Sequence, residues 1–434
     1  MLIQFSVKNF KTFKEKASLS LVASNYDTET READNVKQDE KFNLRLLKSA
    51  VVYGANASGK SKFFEALKFM RYFVMNSSKE SDAIDVEPFR LNSESEKLPA
   101  EFEIVFIHKN VMYRYGFEAD KKIIVSEWLY CKPKTKEIEL FYRTRNKFET
   151  HDRDFSKGKT VIKEGLVREN ALLVSVAAQF NDLTSMAVID WFRDLKIISG
   201  IREGGYQDLI MNRAKSPVHK EGILALLKAA DLGIQNIEPQ QLEIDQIPRE
   251  SPKETRDEMI EKKAKFFFDA LTVHKKYDSS KQATDIVNFS LNDDESSGTR
   301  KFFALAGLVL YAIENGCALV VDELDSNLHP NLVCKIVSLF NSKELNKKNA
   351  QLIFNTHNTN LLSSGLFRRD QIWFTDKDKF GEAKLYSLAD FKSDKVRKTE
   401  SFEENYIRGK YGAVPILGIF DDLNNILYQH ENEG

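Results

Sequence analysis

Several features that would restrict the class of this protein are scarce in its 434 residues. The formal net charge is only −1, so no overall field draws the chain to nucleic acid or a membrane, which does not exclude a local basic patch. The three cysteines, Cys131, Cys317 and Cys334, lack metal-site spacing and indicate small buried side chains in a reducing compartment. No apolar run is long enough to cross a bilayer, no start resembles a signal peptide, and no repeat or long heptad pattern occurs. We therefore expect a soluble cytoplasmic protein without an extended coiled coil.

What is present includes a specific phosphate-binding motif at Val51–Ser61, which reads V-V-Y-G-A-N-A-S-G-K-S. It fits G-x-x-x-x-G-K-[ST], in which glycines let backbone N–H groups surround an anion. An apolar stretch at Leu47–Val52 precedes the motif and apolar residues at helical spacing follow it, as such a loop requires. We expect Lys60 to reach the β- and γ-phosphates of a bound nucleotide and Ser61 to give its hydroxyl to Mg²⁺. The expected nucleotide contacts are Gly54, Asn56, Ala57, Ser58, Gly59, Lys60, Ser61 and Lys62.

A second apolar strand pattern, Ala318–Glu323, ends in two carboxylates. We expect Asp322 to hold the water shell of Mg²⁺ and Glu323 to polarise an attacking water. A strand followed by an ordinary acidic turn is the alternative. That alternative does not explain why the pattern accompanies a phosphate loop.

Two further segments have a composition suited to phosphate chemistry. Ser297 and Gly298 lie in the segment Glu295–Lys301, which precedes the apolar helix predicted at Phe302–Ile313, and small residues with a glycine at a helix start favour anion binding. His357 follows the strand predicted at Gln351–Phe354, on the edge where open α/β sheets bind ligands. We expect it to sense the γ-phosphate.

The remaining chain predicts an α/β fold in three parts, 1–182, 183–288 and 289–434. The first part should carry an antiparallel β subdomain, with another strand at Leu172–Val176 and a mobile loop at Glu29–Asn43. Phe10 or Phe13 could stack against adenine, although core packing suits either ring. The second part should be a helical lobe, roughly Leu183–Asp285, with a charged linker at Pro239–Lys265. The tail should hold two short strands, Gln371–Phe374 and Lys384–Leu388, and a helix near Ile416–Tyr428.

The ordered motifs G-x-x-x-x-G-K-S, S-S-G-T-R, L-V-V-D-E, L-D-S-N-L-H-P and N-T-H resemble the ABC-type ATPase head. Within that class, the chain is similar to the bacterial AAA15/AAA21 group, relatives of RecF, SMC and the overcoming-lysogenization-defect proteins. The resemblance implies a P-loop head with a mixed sheet, an antiparallel β subdomain and an inserted helical lobe. S-S-G-T-R stands where transporter heads have L-S-G-G-Q, as in the non-transporter branch.

The same resemblance implies roles for individual residues. Ser297 and Gly298 would form the signature loop that contacts nucleotide held by another subunit, and Asp325 and Asn327 would belong to the D-loop at that interface. His357 would be the switch histidine. Gln179 is either the Q-loop glutamine or a surface residue.

The resemblance also implies ATP hydrolysis with Mg²⁺ by two heads facing each other, in a homodimer or higher oligomer. Three functions then remain open. The first is an antiphage sensor that controls a separately encoded effector, such as a Toprim-type nuclease, with DNA or a phage protein as trigger. The second is a RecF-like ATPase that binds DNA directly. The third is a nucleotide-gated scaffold.

Overall fold

The computed structural model describes residues 1–79, 83–151, 155–199, 204–243, 266–391 and 400–415. Its strands are β1 (Leu2–Lys8), β2 (Ala17–Ser20), β3 (Val36–Asp39), β4 (Leu44–Leu47), β5 (Ser49–Gly54), β6 (Ala100–His108), β7 (Val111–Ala119), β8 (Ile124–Lys132), β9 (Ile138–Thr144), β10 (Lys147–Thr150), β11 (Lys196–Ser199), β12 (Asn236–Glu243), β13 (Phe266–Tyr277), β14 (Ala283–Ser290), β15 (Ala318–Asp322), β16 (Gln351–Asn355), β17 (Ile372–Lys377) and β18 (Ala383–Ser387). Its α-helices are α1 (Glu32–Asn35), α2 (Lys60–Asn76), α3 (Ser156–Lys163), α4 (Leu173–Gln179), α5 (Leu183–Asp194), α6 (Gly204–Ala214), α7 (Pro217–Ala229), α8 (Ser297–Asn315), α9 (Pro330–Asn341), α10 (Asn360–Ser363) and α11 (Phe402–Ile407). No helix in these ranges has the length and hydropathy needed to span a membrane.

A six-stranded sheet in the order β11-β15-β16-β5-β17-β18 holds the central strand β5. All its pairings are parallel except that of the edge strand β18 with β17. Alternate residues of β5 belong to different cores, with Ala50 and Val52 in one and Val51 and Tyr53 in the other. A strand buried on both faces reads as a continuous apolar run, which is why it could be predicted from sequence. The predicted α/β fold class is confirmed.

The second large sheet is antiparallel, with seven strands in the order β10-β9-β8-β7-β6-β1-β2. Helix α2 packs between the two sheets, and the ring of its Phe63 lies 5.3 Å from that of Phe5 and 5.7 Å from that of Phe13. Phe10 and Phe13 are 2% and 0% exposed. Both rings therefore pack in the core, and neither presents a face to adenine.

The strand predicted at Leu172–Val176 is wrong, because these residues enter helix α4. The carboxylate of Glu127 accepts hydrogen bonds from the N–H groups of Leu173, at 2.7 Å, and Val174, at 3.1 Å, at the start of the helix. An anion at this end satisfies free N–H groups and the helix dipole. The segment is buried on all sides, so no helical period shows in its sequence.

Glu127 is itself held in the core by a cation. Its carboxylate lies 3.6 Å from the Arg143 guanidinium, and both side chains are fully buried. Burial raises the pKa of Glu127, and the charge of Arg143 opposes that rise. Arg143 also donates to the Ala171 carbonyl at 2.6 Å. Glu127 and Arg143 therefore connect the antiparallel sheet to the residues that precede α4.

The prediction that Leu183–Asp285 is a helical lobe is only partly right. Helices α5, α6 and α7 are present, but β11 joins the main sheet beside β15, and β12, β13 and β14 form a separate antiparallel sheet. The residues of β14 are largely exposed, so their sequence lacks the apolar alternation that reveals a half-buried strand. The linker residues 244–265 and the helix predicted near Ile416–Tyr428 lie outside the described residues.

The segment predicted as a mobile loop, Glu29–Asn43, contains α1 and β3 and is held by the buried side chain of Arg368. This guanidinium donates to the Thr30 carbonyl at 2.6 Å and to the Glu32 carboxylate at 3.0 Å. Asp370 accepts from it at 2.9 Å. Arg368 lies more than 300 residues after this segment in the sequence, so its contacts could not be inferred from local composition.

Candidate functional site

The loop between β5 and α2 has close contacts that require glycine. A Cβ on Gly54 would lie 2.5 Å from both Ser58 Oγ and Thr375 Oγ1, and those two hydroxyls are 2.7 Å apart. Gly59 precedes α2 with a φ of +113°, in the left-handed region that other residues rarely adopt. The loop therefore ends at the N-terminus of a 17-residue helix, where free N–H groups favour an anion.

Within this loop, Ser58 is buried with its hydroxyl against that of Thr375, whereas Asn56 and Ala57 are exposed. Ser61 lies half-buried in the first turn of α2. Lys62 forms an ion pair with Glu65, one turn along the helix, at 2.7 Å. The nucleotide contacts expected of these residues stay predictions.

Lys60 is only 5% exposed, and its ammonium donates to the carbonyls of Gly54, at 2.7 Å, and Ala55, at 3.0 Å. Burial lowers the pKa of Lys60, and nearby carboxylates oppose that effect, those of Glu323 first and Asp322 next. The cation therefore lies in the phosphate loop with the acidic pair within electrostatic reach.

The acidic pair is fixed by Asn355, which the sequence analysis did not select. β15 ends at Asp322 and the neighbouring β16 at Asn355, and the register places the two side by side. The Asn355 amide donates to Asp322 Oδ1, and its oxygen accepts the N–H of Glu323. Asp322 and Asn355 are buried, whereas the side chain of Glu323 is exposed. A buried amide thus orients one carboxylate and leaves the other free.

The predicted signature loop lies against the predicted D-loop of the same chain. Ser296 caps α8 by accepting the Thr299 N–H at 3.1 Å, which leaves Ser297 exposed at the helix start. A Cβ on Gly298 would lie 2.7 Å from the Asn327 carbonyl oxygen, so the two segments touch.

Lys301, one turn into α8, was also missed by the sequence analysis. It is 5% exposed, and its ammonium donates to the Glu323 carbonyl at 2.7 Å and to Ser326 Oγ at 2.5 Å. One lysine therefore joins the signature helix, the acidic pair and the D-loop. No pattern in the sequence distinguishes it, because Lys301 follows Arg300 in the polar first turn of the helix.

His357 is exposed in the loop after β16, and its backbone N–H donates to Asp325 Oδ2 at 3.1 Å. The D-loop aspartate thus holds the backbone of the loop that presents the histidine. Among the described residues, Lys60, Asp322, Glu323, Asp325 and His357 therefore come together at the carboxyl edge of the sheet, as three adjacent parallel strands dictate.

Gln179 is not part of this group. Its amide donates to Ser78 Oγ at 2.6 Å, and Ser78 lies just beyond the C-terminus of α2. A helix of 17 residues is about 25 Å long, so Gln179 lies a helix length from Lys60 at the other end. Of the two alternatives for Gln179, the surface residue agrees with the structure, in which its side chain is exposed. The Q-loop alternative does not, because α4 packs on the far end of α2, where Ser175 Oγ donates to the Val74 carbonyl at 2.6 Å.

Residues 49–175 and 213–363 match the family described as "AAA domain, putative AbiEii toxin, Type IV TA system". These ranges cover more than half of the chain and include the phosphate loop, the acidic pair and His357. The chain belongs to this family. It is therefore a protein with an AAA-type P-loop ATPase domain, and ATPases of this kind generally bind ATP with Mg²⁺.

The chain is also similar to the SMC head domain from Thermotoga maritima, with 14% sequence identity and a TM-score of 0.39. The match covers 89% of this chain and 98% of that one. A likeness of this degree indicates neither an activity nor a partner. No curated protein matches the chain.

Proposed function

We propose that the protein binds ATP with Mg²⁺ and hydrolyses it to ADP and phosphate. The observation that carries this proposal is the convergence of buried Lys60 with Asp322 and Glu323, the first of which Asn355 orients. The Ser61 hydroxyl and the Asp322 carboxylate are oxygen donors of the kind that Mg²⁺ prefers, and two suffice because this ion keeps several waters. The metal, when bound, would neutralise charge on the β- and γ-phosphates.

In the proposed reaction, the ammonium of Lys60 turns from the Gly54 and Ala55 carbonyls to the phosphates. Glu323 orients a water and takes its proton as the water oxygen attacks the γ-phosphorus. The bond from that phosphorus to the β–γ bridging oxygen breaks, which releases ADP and phosphate. Such transfers depend chiefly on positioning and charge stabilisation. The acidic pair would supply the positioning, and Lys60 with the metal would supply the positive charge.

We further propose that a second copy of the chain completes the site. Exposed Ser297 and the adjoining Gly298 would contact the γ-phosphate held by the partner, and Asp325 and Asn327 would line the interface. The exposure of Ser297 and the contact of Gly298 with Asn327 support this arrangement, because both predicted interface segments form one surface.

The ATPase test uses Glu323→Gln. This change removes the proton acceptor while keeping its size, so phosphate release should fall by roughly two to four orders of magnitude. ATP binding, measured by calorimetry, should persist, and the variant should accumulate as an ATP-bound assembly. Turnover at the wild-type rate would move the role to another residue.

The biological role that we propose is an antiphage sensor of the AAA15/AAA21 type, which controls a separately encoded effector such as a Toprim-type nuclease. The family description, which names a putative toxin and a toxin–antitoxin system for its members, supports a role of this kind. Within the described residues after His357, the strands β17 and β18 belong to the ATPase sheet, so this part of the chain shows no separate output domain.

The role is tested by expressing the protein with its operon neighbour and challenging the cells with phage. Co-purification of the two proteins, and protection that requires both the neighbour and Lys60, would support the proposal. DNA-stimulated ATPase activity and a repair phenotype without any partner would favour a RecF-like ATPase that binds DNA directly.

A further inference from the structure

The strand order indicates on which side of the phosphate loop the nucleoside of a bound ATP would lie. β5 lies between β16 and β17, and the acidic pair stands on the side of β16 and β15. The terminal phosphate must approach that side for hydrolysis. Ribose and base then extend toward β17, β18 and the N-terminal turn.

Two segments lie on this side of the phosphate loop and are in contact with it: the N-terminal turn and the start of β18. A Cβ on Gly59 would lie 3.0 Å from Ala383 Cβ and 3.1 Å from Thr12 Oγ1. The Ala383 N–H donates to the Thr12 carbonyl at 2.8 Å, so the start of β18 and the N-terminal turn are joined. Thr12 Oγ1 is buried and has no hydrogen-bond partner among the described residues.

An exposed aromatic ring lies in the turn that leads to the start of β18. Phe380 is 66% exposed in the turn between β17 and β18, three residues before Ala383. Three residues span at most about 11 Å, so the ring is within reach of a base whose phosphates occupy the loop.

Hydrogen bonds to one carboxylate stabilise the turn. Asp378 Oδ1 accepts the N–H groups of Phe380, at 2.9 Å, and Glu382, at 3.0 Å. The side chain of Leu91 lies against Gly381, where a Cβ would be 2.3 Å from Leu91 Cδ1, and adds apolar surface beside the turn. Because Phe10 and Phe13 are buried, the N-terminal turn has no exposed aromatic ring, whereas Phe380 is exposed, with the Lys379 ammonium 5.1 Å from its ring centre.

We propose that Phe380 is the stacking platform for the base of the bound nucleotide. This inference rests on the proposed ATP-binding function and adds a ligand contact to it. Stacking on an aromatic face is tolerant of base identity, so Phe380 should strengthen the binding of ATP and GTP alike.

Calorimetric titration of Phe380→Ala with ATP and with inorganic tripolyphosphate, both with Mg²⁺, tests the platform. ATP affinity should fall about tenfold, which corresponds to about 1.4 kcal/mol. Tripolyphosphate affinity should not change, because it has no base. Phe380→Trp should retain wild-type ATP affinity. Tyr277→Ala, which removes a ring that is 58% exposed at the end of β13, is the matched control and should have no effect.

Unchanged ATP affinity in Phe380→Ala would overturn the inference, as would an equal loss of affinity for tripolyphosphate. Lys60→Ala, titrated alongside, separates the two proposals. If Lys60→Ala abolishes ATP binding and Phe380→Ala leaves it intact, the ATPase proposal stands and the platform alone is wrong. If Lys60→Ala retains wild-type affinity, the ATPase proposal itself is wrong.

Discussion

Asn355 shows how much of the site depends on a residue with no predicted role in the chemistry. Its two hydrogen bonds reach the Asp322 carboxylate and the backbone of Glu323, so one amide orients the first acid and fixes the main chain of the second. Groups that orient a metal ligand commonly contribute as much as a weak ligand does.

Asn355→Ala should therefore raise the Mg²⁺ concentration needed for half-maximal ATPase activity by roughly 10- to 100-fold. ATP affinity without Mg²⁺ should stay near the wild-type value, because Lys60 and the loop are intact. Asn346→Ala is the control, since this buried amide bonds the Phe340 and Ala350 carbonyls away from the acids. It should lower the melting temperature without changing the Mg²⁺ requirement. A normal Mg²⁺ requirement in Asn355→Ala would show that the Asp322 carboxylate keeps its orientation without the Asn355 amide.

At the scale of elements, Lys301 couples helix α8 to the end of β15. Its ammonium bonds stabilise the turn from Glu323 to Ser326, and hydrogen bonds to charged groups contribute about 1.5–3 kcal/mol. Lys301→Met should reduce turnover by roughly tenfold or more while ATP affinity stays within about twofold. Lys301→Arg should recover part of the turnover, because it restores a cation.

Lys196→Met is the matched control for that prediction. Lys196 is buried to a similar degree and donates to the Arg193 carbonyl at 2.6 Å, at the start of β11. Its loss should leave turnover unchanged. An equal loss of turnover in Lys301→Met and Lys196→Met would mean that Lys301 contributes to folding and not specifically to the site.

The pair Glu127–Arg143 governs stability at the same scale. Arg143→Met leaves the Glu127 carboxylate buried without its cation, so urea unfolding should report a loss of about 3–5 kcal/mol. Glu127→Gln with Arg143→Met removes both charges and should recover part of that loss. If the double variant is less stable than Arg143→Met, the carboxylate contributes through its bonds to α4 more than through the ion pair.

Local sequence patterns located the contiguous motifs. They did not reveal residues whose contacts depend on tertiary packing. The phosphate loop and Asp322 each follow an apolar strand whose residues are buried on both faces, so the local pattern was sufficient. Asn355 and Lys301 act through contacts between distant segments, which no spacing reveals. The position of Gln179 and the helical conformation of α4 do not follow from local sequence either, because the position of α4 depends on the far end of α2 and on Glu127.

For the whole molecule, the decisive question is whether one chain suffices for hydrolysis. Ser297→Asp places a carboxylate where the γ-phosphate of a facing chain would lie, and Lys60→Ala disables the phosphate loop. Each variant alone should be inactive. Mixed after subunit exchange, they should partly recover ATPase activity, because one of the two interfaces then carries neither lesion.

Ser297 serves this test better than Gly298, since a side chain at Gly298 would strike the Asn327 carbonyl of its own chain. Demonstrated mixed assemblies that stay inactive would place the whole reaction within a single chain.

The sheet order has a consequence for synthesis on the ribosome. β5 emerges early, yet both of its neighbours, β16 and β17, lie some 300 residues later in the chain. Until those residues are translated, the strand before the phosphate loop has no partner in its sheet and its apolar side chains lack half of their core. Pairings this remote fold slowly and expose apolar surface in the meantime. Nascent chains stalled before Gln351 should therefore engage chaperones and bind no nucleotide, and competence should appear abruptly once Lys377 has left the exit tunnel.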